Sequence, residues 1–282
     1  MKTPITYYGG KQLMLHRILP LIPDHKLYVE PFVGGGAVFF AKRQASVSVI
    51  NDLDLALVNF YRVCVVDFGN LKKLISKTLF SRMELNLAET YLKDFSKDSE
   101  YFYTSFRTDV FAAWAVWFVL NNTYGHALGT GFACVGNAHS KLKSVKRFLS
   151  SRKYFTTEIA TRLEGSIIEN DNALNVIRRH DCEDAFFYCD PPYLNADCSS
   201  YSTKYEESNF EELLKTLSQI KGKFLLSSYP SEILEQYTKA QLWKQQIFNL
   251  NNTIKTGSRK KEVLTYNYEL EQFDLFSERT EL

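Results

Sequence analysis

The sequence predicts an open α/β fold, a mostly parallel sheet with helices on both faces, interrupted by a mostly helical insertion. Three observations predict it. Apolar runs of strand length alternate with segments of helical spacing. The first clear strand runs straight into a glycine triplet that opens a helix. The alternation then lapses between roughly residues 67 and 160, where aromatic-rich helical spacing replaces strand-like runs.

The elements follow in order. "YYGGKQ" (7–12) is a turn before a helix that begins near Gln12. "KLYVEPF" (26–32) is a buried strand, and "VGGGAVFFAKRQA" a glycine turn that opens a helix. "SVSVIND" (46–52) is a second strand ending on an acid, and "LDLALVNFYRVC" (53–64) has helical spacing. Within the lapse, "FRTDVFAAWAVWFVLNN" (106–122) is helical and "TYGHALGTGFACVGN" (123–137) is glycine-rich. Residues 139–154 carry Lys141, Lys143, Lys146, Arg147, Arg152 and Lys153 and no acid. The alternation resumes with "GSIIEN" (165–170), the helical "NALNVIRRH" (172–180) and the strand "AFFYC" (185–189). The helix "EELLKTLSQI" (211–220) and the strand "KFLLSSY" (223–229) come next. "WKQQIFNL" (243–250) and "EVLTYNYE" (262–269) form a terminal hairpin, its last strand ending near Tyr268 or Glu269.

Composition narrows the class. An apolar fraction of 45% and a charged fraction of 23% are those of a globular chain with a sizeable core. A net charge of only +2 spreads no global field, so any contact with a polyanion must be local. The five cysteines are odd in number and none forms a CxxC pair. That argues against a disulfide framework or a zinc ribbon, gives no metal site, and points to a reduced, cytoplasmic setting. No apolar run is long enough to span a membrane.

Three motifs carry chemistry. In Glu30-Pro31-Phe32-Val33-Gly34-Gly35-Gly36, glycines between a strand and a helix let a ligand approach the backbone near a helix N-terminus. Asp52 ends the next strand eighteen residues after Gly34, where an acid suits a ribose hydroxyl pair. Taken alone, this is equally a tight turn with a solvated acid, and the spacing departs from the GxGxxG of nicotinamide enzymes. In "YYGGKQ", Tyr7 and Lys11 flank a glycine pair and suit a nucleoside and a carboxylate; alone, this too is a turn. The most specific motif is Asp190-Pro191-Pro192-Tyr193. Prolines cannot continue a central strand, so the strand end presents a carboxylate, a rigid carbonyl and an aromatic face. Two acceptors and a ring fit the exocyclic amine of a flat base.

In this order the motifs resemble those of the Dam-type DNA adenine-N6 methyltransferases, from Tyr7 to about Tyr268. "YYGGK", "VEPFVGGGAVFF" and "IND" are similar to that family's cofactor motifs, "LNNTYG" (120–125) to the start of its target-recognition hairpin, and "YCDPPY" to its catalytic motif. "GSRKKEVLTYNY" (257–268) resembles its basic turn and last strand. The resemblance implies a Rossmann-like S-adenosylmethionine-dependent methyltransferase sheet. It places catalytic residues 1–66 and 155–270 around a target-recognition insertion at 67–154, with a tail at 271–282. It implies cofactor contacts at Tyr7, Lys11, Glu30, Phe32, Gly34, Gly36, Asp52, Asp171 and Asp190. Catalysis falls to Asp190, Pro191, Pro192 and Tyr193. Double-stranded DNA would be held by Tyr124, His126, Lys141, Lys143, Lys146, Arg147, Arg259, Lys260 and Lys261.

The chemistry then follows. With Asp190 and the Pro191 carbonyl accepting its two protons, the adenine amine can pyramidalise and attack a methyl group directly. The base must leave the duplex, with the Tyr193 ring as its stacking surface and its hydroxyl idle. The polar stretch 194–205 would close over it. Residues 124–137 contain no arginine, the commonest reader of guanine, so the recognition sequence is open. Methylation of cytosine N4 and a non-catalytic DNA-binding module are the alternatives; Ser in place of Asp190 would favour the former. In the tail, "QFDLF" resembles a short peptide that binds the bacterial sliding clamp, through Gln272, Leu275 and Phe276; a fold-back cap is the other reading.

Overall fold

A computed structural model of the protein describes residues 1–97, 108–193, 205–251 and 259–270. A 3-10 turn (Lys11–Leu13) and the short α1 (Leu15–Ile18) precede β1 (Leu27–Glu30), α2 (Ala37–Ala41), β2 (Val47–Asn51) and α3 (Leu55–Val66). Helices α4 (Phe68–Lys77), α5 (Arg82–Lys97), α6 (Val110–Asn122), α7 (Ala138–Tyr154) and α8 (Glu158–Glu164) come next. The chain then returns to β3 (Ser166–Glu169), α9 (Ala173–Arg179), β4 (Ala185–Cys189), α10 (Glu207–Leu217) and β5 (Lys223–Ser228). It closes with α11 (Glu232–Ala240), β6 (Lys244–Asn251) and β7 (Arg259–Tyr266).

The strands form one seven-stranded sheet in the order β3-β2-β1-β4-β5-β7-β6. The first five are parallel, and β7 runs antiparallel to both β5 and β6. Strand β4 (AFFYC) reads as a continuous apolar run and β5 (KFLLSS) holds three apolar residues in a row, because both of their faces are covered. Successive residues split between the faces, as a period of two requires. Tyr28, Ile50, Phe186, Tyr188 and Leu264 join one core cluster, whereas Val29, Val49, Phe187, Cys189 and Val263 join the other. Helices α9 and α10 cover the second face through Val176, Ile177, Phe210, Leu213 and Leu217.

The first face is covered largely by the helices between β2 and β3. Helix α6 is apolar on every side and packs against α3 and α5. Its Trp114, Trp117 and Phe118 belong to the same core cluster as Tyr28 and Phe186, so the helical insertion and the sheet share one core. Side-chain caps start these helices where the sequence supplies acids. Asp54 accepts hydrogen bonds from Ala56 and Leu57 at the start of α3, and Asp109 from Phe111 and Ala112 at the start of α6.

Several boundaries differ from the sequence reading. Strand β7 ends at Tyr266, because Tyr268 turns back and donates its hydroxyl to the Leu21 carbonyl at 2.6 Å. Arg259, Lys260 and Lys261 open β7 instead of forming a turn. Helix α10 begins at Glu207, where the Glu206 and Asn209 side chains form a reciprocal capping box. Helix α11, capped by Ser231, was not anticipated. Of the loop expected to close over a base (194–205), all but Tyr205 lies outside the described residues, as does the tail with Gln272, Leu275 and Phe276.

Candidate active site at the end of strand β4

Strand order reverses between β1 and β4, so the loops that follow these strands diverge and leave a crevice at their carboxyl ends. The loop after β1 has left-handed backbone at Gly34 (φ 46°) and Gly36 (φ 66°). A Cβ on Gly35 would sit 2.8 Å from the Tyr7 Cβ, and one on Gly34 3.0 Å from the Tyr7 ring. Both glycines thus admit the N-terminal segment onto the loop. Phe32, on the same loop, is half-buried against the second core.

The loop ends are pinned together by Asn51, the last residue of β2. Its amide donates to the carbonyls of Pro31 (2.9 Å) and Asp171 (3.0 Å), and its oxygen accepts from the Asp171 N–H (2.9 Å). One side chain therefore fixes the exits of β1 and β3. Asp52 accepts from the Gly34 N–H at 2.9 Å and the Asp54 N–H at 3.0 Å. Burial pushes its carboxyl up to about 6 despite these bonds. Asn170 donates to the Asp52 carbonyl at 2.7 Å, while its Oδ1 has no partner among the described residues.

The second wall gathers charges from four segments. Lys11 Nζ lies 2.8 Å from Asp190 Oδ1 and 3.7 Å from Glu262 Oε1, and donates to the Gly9 carbonyl at 3.1 Å. The Tyr193 hydroxyl is 3.0 Å from Asp190 Oδ1 and 2.9 Å from Ser227 Oγ, and it also bonds Glu262. Ser227 donates to Glu262 Oε1 at 2.6 Å. The Lys11 ammonium stands 4.7 Å from the centroid of the Tyr193 ring. Burial raises the Asp190 pKa, with Lys11 opposing the rise. Burial pulls the Lys11 ammonium down, but Asp190 and Glu262 outweigh it and the net shift is upward. Cys189 packs inside β4, and burial pushes its thiol well up, which removes it as a nucleophile.

The structure thus brings Tyr7, Gly34, Gly36 and Asp52 together along one side of the crevice. It brings Lys11, Asp190 and Tyr193 together along the other. Lys11 faces the acid of β4 instead of opening onto a carboxylate pocket. The Tyr193 hydroxyl, expected to be idle, reaches three partners. Glu30 is 2% exposed and accepts from the Tyr28 hydroxyl at 2.6 Å. That correction has a physical reason: the acid turns into the core beneath the loop, where burial pushes it up to about 8. Asp171 is tied to its own helix, pairing with Arg179 at 2.7 Å and accepting from Asn175 at 3.2 Å. The Arg179 bond holds its carboxyl below the usual range.

Glu262, Ser227 and Asn51 were missed. An acid inside "KKEVLTY" reads as one outward position of a strand, and only the antiparallel pairing of β7 with β5 shows which face it takes. Asn51 stood next to the more conspicuous Asp52.

The DNA candidates lie on the helical insertion and on β7. Tyr124 is exposed in a short 3-10 turn. Beyond it Thr123 bridges Phe132 in antiparallel fashion. His126 instead turns inward, its Nδ1 2.8 Å from the Leu120 carbonyl, and burial lowers its pKa. On α7, Lys141, Lys143, Lys146 and Arg147 are all exposed. At 3.6 residues per turn, Lys143, Lys146 and Arg147 share a face about 100° wide, while Lys141 lies on the Phe148 side. Lys261 is exposed; the side chains of Arg259 and Lys260 lie outside the described part. Asn121, at the end of α6, accepts from the Thr6 N–H (3.2 Å) and hydroxyl (3.1 Å), tying the N-terminal motif to the segment that leads to Tyr124.

Residues 7–256 match the model of the D12 class N6 adenine-specific DNA methyltransferases, a span that takes in Tyr7, Lys11, the glycine loop, Asp52, Asp190-Pro191-Pro192-Tyr193 and Ser227. The chain belongs to that family. Among relatives, the type II methyltransferase M1.LlaDCHI of Lactococcus lactis subsp. cremoris is 28% identical, over 92% of this chain and 93% of its own. The DNA adenine methylase of Salmonella typhi is 25% identical, over 91% of each chain. That of Escherichia coli strain K12 is 24% identical, again over 91% of each. Among solved structures, the putative methyltransferase yhhF from Escherichia coli aligns over 94% of this chain and 90% of that one, at 10% identity and a TM-score of 0.36. As a D12 class methyltransferase, the protein modifies adenine N6 in DNA and requires a methyl donor. No described helix is long and apolar enough to cross a membrane.

Proposed function

We propose that the protein transfers a methyl group from S-adenosylmethionine to the N6 amine of an adenine flipped out of duplex DNA, with Asp190-Pro191-Pro192-Tyr193 as the reacting strand end. The single observation that carries this reading is the Asp190 carboxylate at the exit of β4, across the crevice from the glycine loop. The residues present fit the donor. The glycine loop lays Tyr7 against the crevice, Asp52 and the unpartnered Asn170 oxygen offer acceptors, and the facing groups are acidic and aromatic. Such a set suits a cation with an amine, a ribose and a flat base. Tyr7, Phe32, Gly34, Gly36, Asp52 and Asp171 would hold it; Glu30 would act from below by supporting the loop. When bound, S-adenosylmethionine supplies an electrophilic methyl group on a cationic sulfur.

The chain's own residues do the rest. Asp190 and the Pro191 carbonyl accept hydrogen bonds from the two amine N–H groups, so the nitrogen lone pair leaves conjugation and points across the crevice; the one proton the amine loses would pass to Asp190 or to solvent. The two prolines hold that carbonyl rigidly. The Tyr193 ring stacks on the base, and Lys11 keeps Asp190 ionised before substrate arrives. Tyr124, Lys143, Lys146, Arg147 and Lys261 would contact the duplex; the inward His126 would shape the Tyr124 turn. The Arg259 and Lys260 contacts, the closing loop 194–205 and a cytoplasmic, nucleoid-associated location belong to the same reading. So does a clamp-binding tail, which a synthetic peptide of residues 268–282 would test against a purified sliding clamp.

Calorimetric titration of the purified protein with S-adenosylmethionine tests the donor. Fluorescence of 2-aminopurine at the target base tests flipping. Saturable one-to-one binding and a fluorescence rise on DNA binding are expected. Absence of donor binding at millimolar concentration would overturn the assignment.

A further inference from the structure

Glu262 has no part in the reading above, yet it is 4% exposed and lies within the same cluster as Asp190. A lone acid at such a depth is costly unless it is paired. Ser227 Oγ donates to one of its oxygens at 2.6 Å, Lys11 Nζ pairs with it at 3.7 Å, and the single Tyr193 O–H lies between it and Asp190. An ionised carboxylate offers only acceptors, and a donor and an ammonium beside it suit that form. The cluster therefore holds two carboxylates, Asp190 and Glu262, against one ammonium, Lys11.

That surplus has a consequence for methyl transfer. Lys11 alone would neutralise Asp190 and leave it a poor acceptor for an amine. As the amine attacks, positive charge moves from sulfur to nitrogen. A cluster with net charge −1 stabilises that charge, whereas a neutral Lys11–Asp190 pair does so far less. Glu262 also offers Lys11 a second partner when an amine proton takes the Asp190 oxygen.

We infer that Glu262 is a positioning residue that acts through Lys11 and Tyr193 to leave the Lys11–Asp190 pair inside a net negative cluster that faces the attacking amine. The inference rests on the proposed role of Asp190. The charged and titratable groups that face the cluster are Lys11 from the N-terminal turn, Tyr188 and Asp190 from β4 and its exit, Tyr193, Tyr229 beyond β5, and Glu30 beneath β1. Among these, the negative charge of Glu262 raises the Asp190 pKa. Removing that charge should lower it.

The test compares wild type, Glu262→Gln and Glu262→Asp in single-turnover methylation across pH, with DNA affinity, donor affinity and melting temperature measured in parallel. Gln keeps a carbonyl acceptor for Ser227 and Tyr193, removes the charge and puts an amide donor in place of the second oxygen. Its plateau rate should fall by about ten- to a hundredfold, at or below the loss from a group that touches the reacting atoms. The acid limb of its rate profile should move to lower pH, with both affinities within about twofold. Glu262→Asp should recover part of the rate. A Gln variant with wild-type rate and limb would overturn the inference, as would a rate loss with the limb unmoved. If Glu262→Gln fails to fold, Glu262→Asp with its limb unshifted and its rate partly lost supports the inference, and a full loss of rate overturns it. Wild-type protein that methylates no DNA would instead defeat the underlying reading.

Discussion

In the proposed reaction the chemistry turns on Asp190, which supplies a charged acceptor at the exit of β4. Asp190→Asn keeps the shape, places a donor group where an acceptor is needed and leaves Lys11 with Glu262. Methyl transfer should fall at least about a hundredfold, the scale of losing one preorganised electrostatic contact, with DNA binding retained; activity above a tenth of wild type would remove Asp190 from that role. The pH sign follows from its burial. A carboxyl raised above its ordinary value of about 3.9 is ionised only above that raised pKa, so activity should be lost as pH falls through it. Tyr193 separates ring from hydroxyl. Stacking a base on the ring is worth roughly 1–3 kcal/mol, and Tyr193→Ala should lose both this and the 2-aminopurine signal. Tyr193→Phe keeps the ring but strips one donor from the Asp190–Glu262 pair. It should retain flipping and lose rate about tenfold. A Phe variant as fast as wild type would restore an idle hydroxyl.

At the scale of elements, the crevice depends on pins between strand ends. Asn51→Ala would leave the Asp171 N–H and the Pro31 and Asp171 carbonyls without that partner. Leaving a buried polar group unsatisfied costs about 1–3 kcal/mol. The variant should melt earlier in calorimetry and bind donor more weakly; unchanged melting would show that the pin is dispensable. Helix α7 presents a different test. Replacing Lys143, Lys146 and Arg147 with Gln should weaken binding to all DNA sequences alike and flatten the salt slope by roughly one per contact. Lys141→Gln alone should change the slope less, since it lies off that face; an unchanged slope in the triple variant would make α7 a solvated face. Strands β1, β4 and β5 were legible because strands buried on both faces carry several apolar residues in a row. The "DPPY" exit was legible because prolines end a strand. Helix α11 was not read, since it is short and only Leu234 is fully buried, with Ile233 and Tyr237 partly so. Glu262 and Ser227 were illegible for another reason. They meet only through the pairing of β5 with β7, and no local spacing in the sequence encodes that distance.

For the molecule as a whole, the helical insertion is built onto the sheet through Trp114, Trp117 and Phe118 instead of carrying a core of its own. The N-terminal motif is bonded to both the insertion, through Asn121, and the reacting acid, through Lys11. The segments proposed to contact DNA, to hold the donor and to carry the chemistry thus belong to one packed unit. The most direct test of that account uses the whole protein. It should be incubated with S-adenosylmethionine carrying a labelled methyl group and duplex DNA of mixed sequence, and the DNA digested to nucleosides and separated by mass spectrometry. The account predicts label in N6-methyl-2′-deoxyadenosine, dependent on Asp190. Label in N4-methyl-2′-deoxycytidine, or no labelled nucleoside from protein that binds DNA, would contradict it.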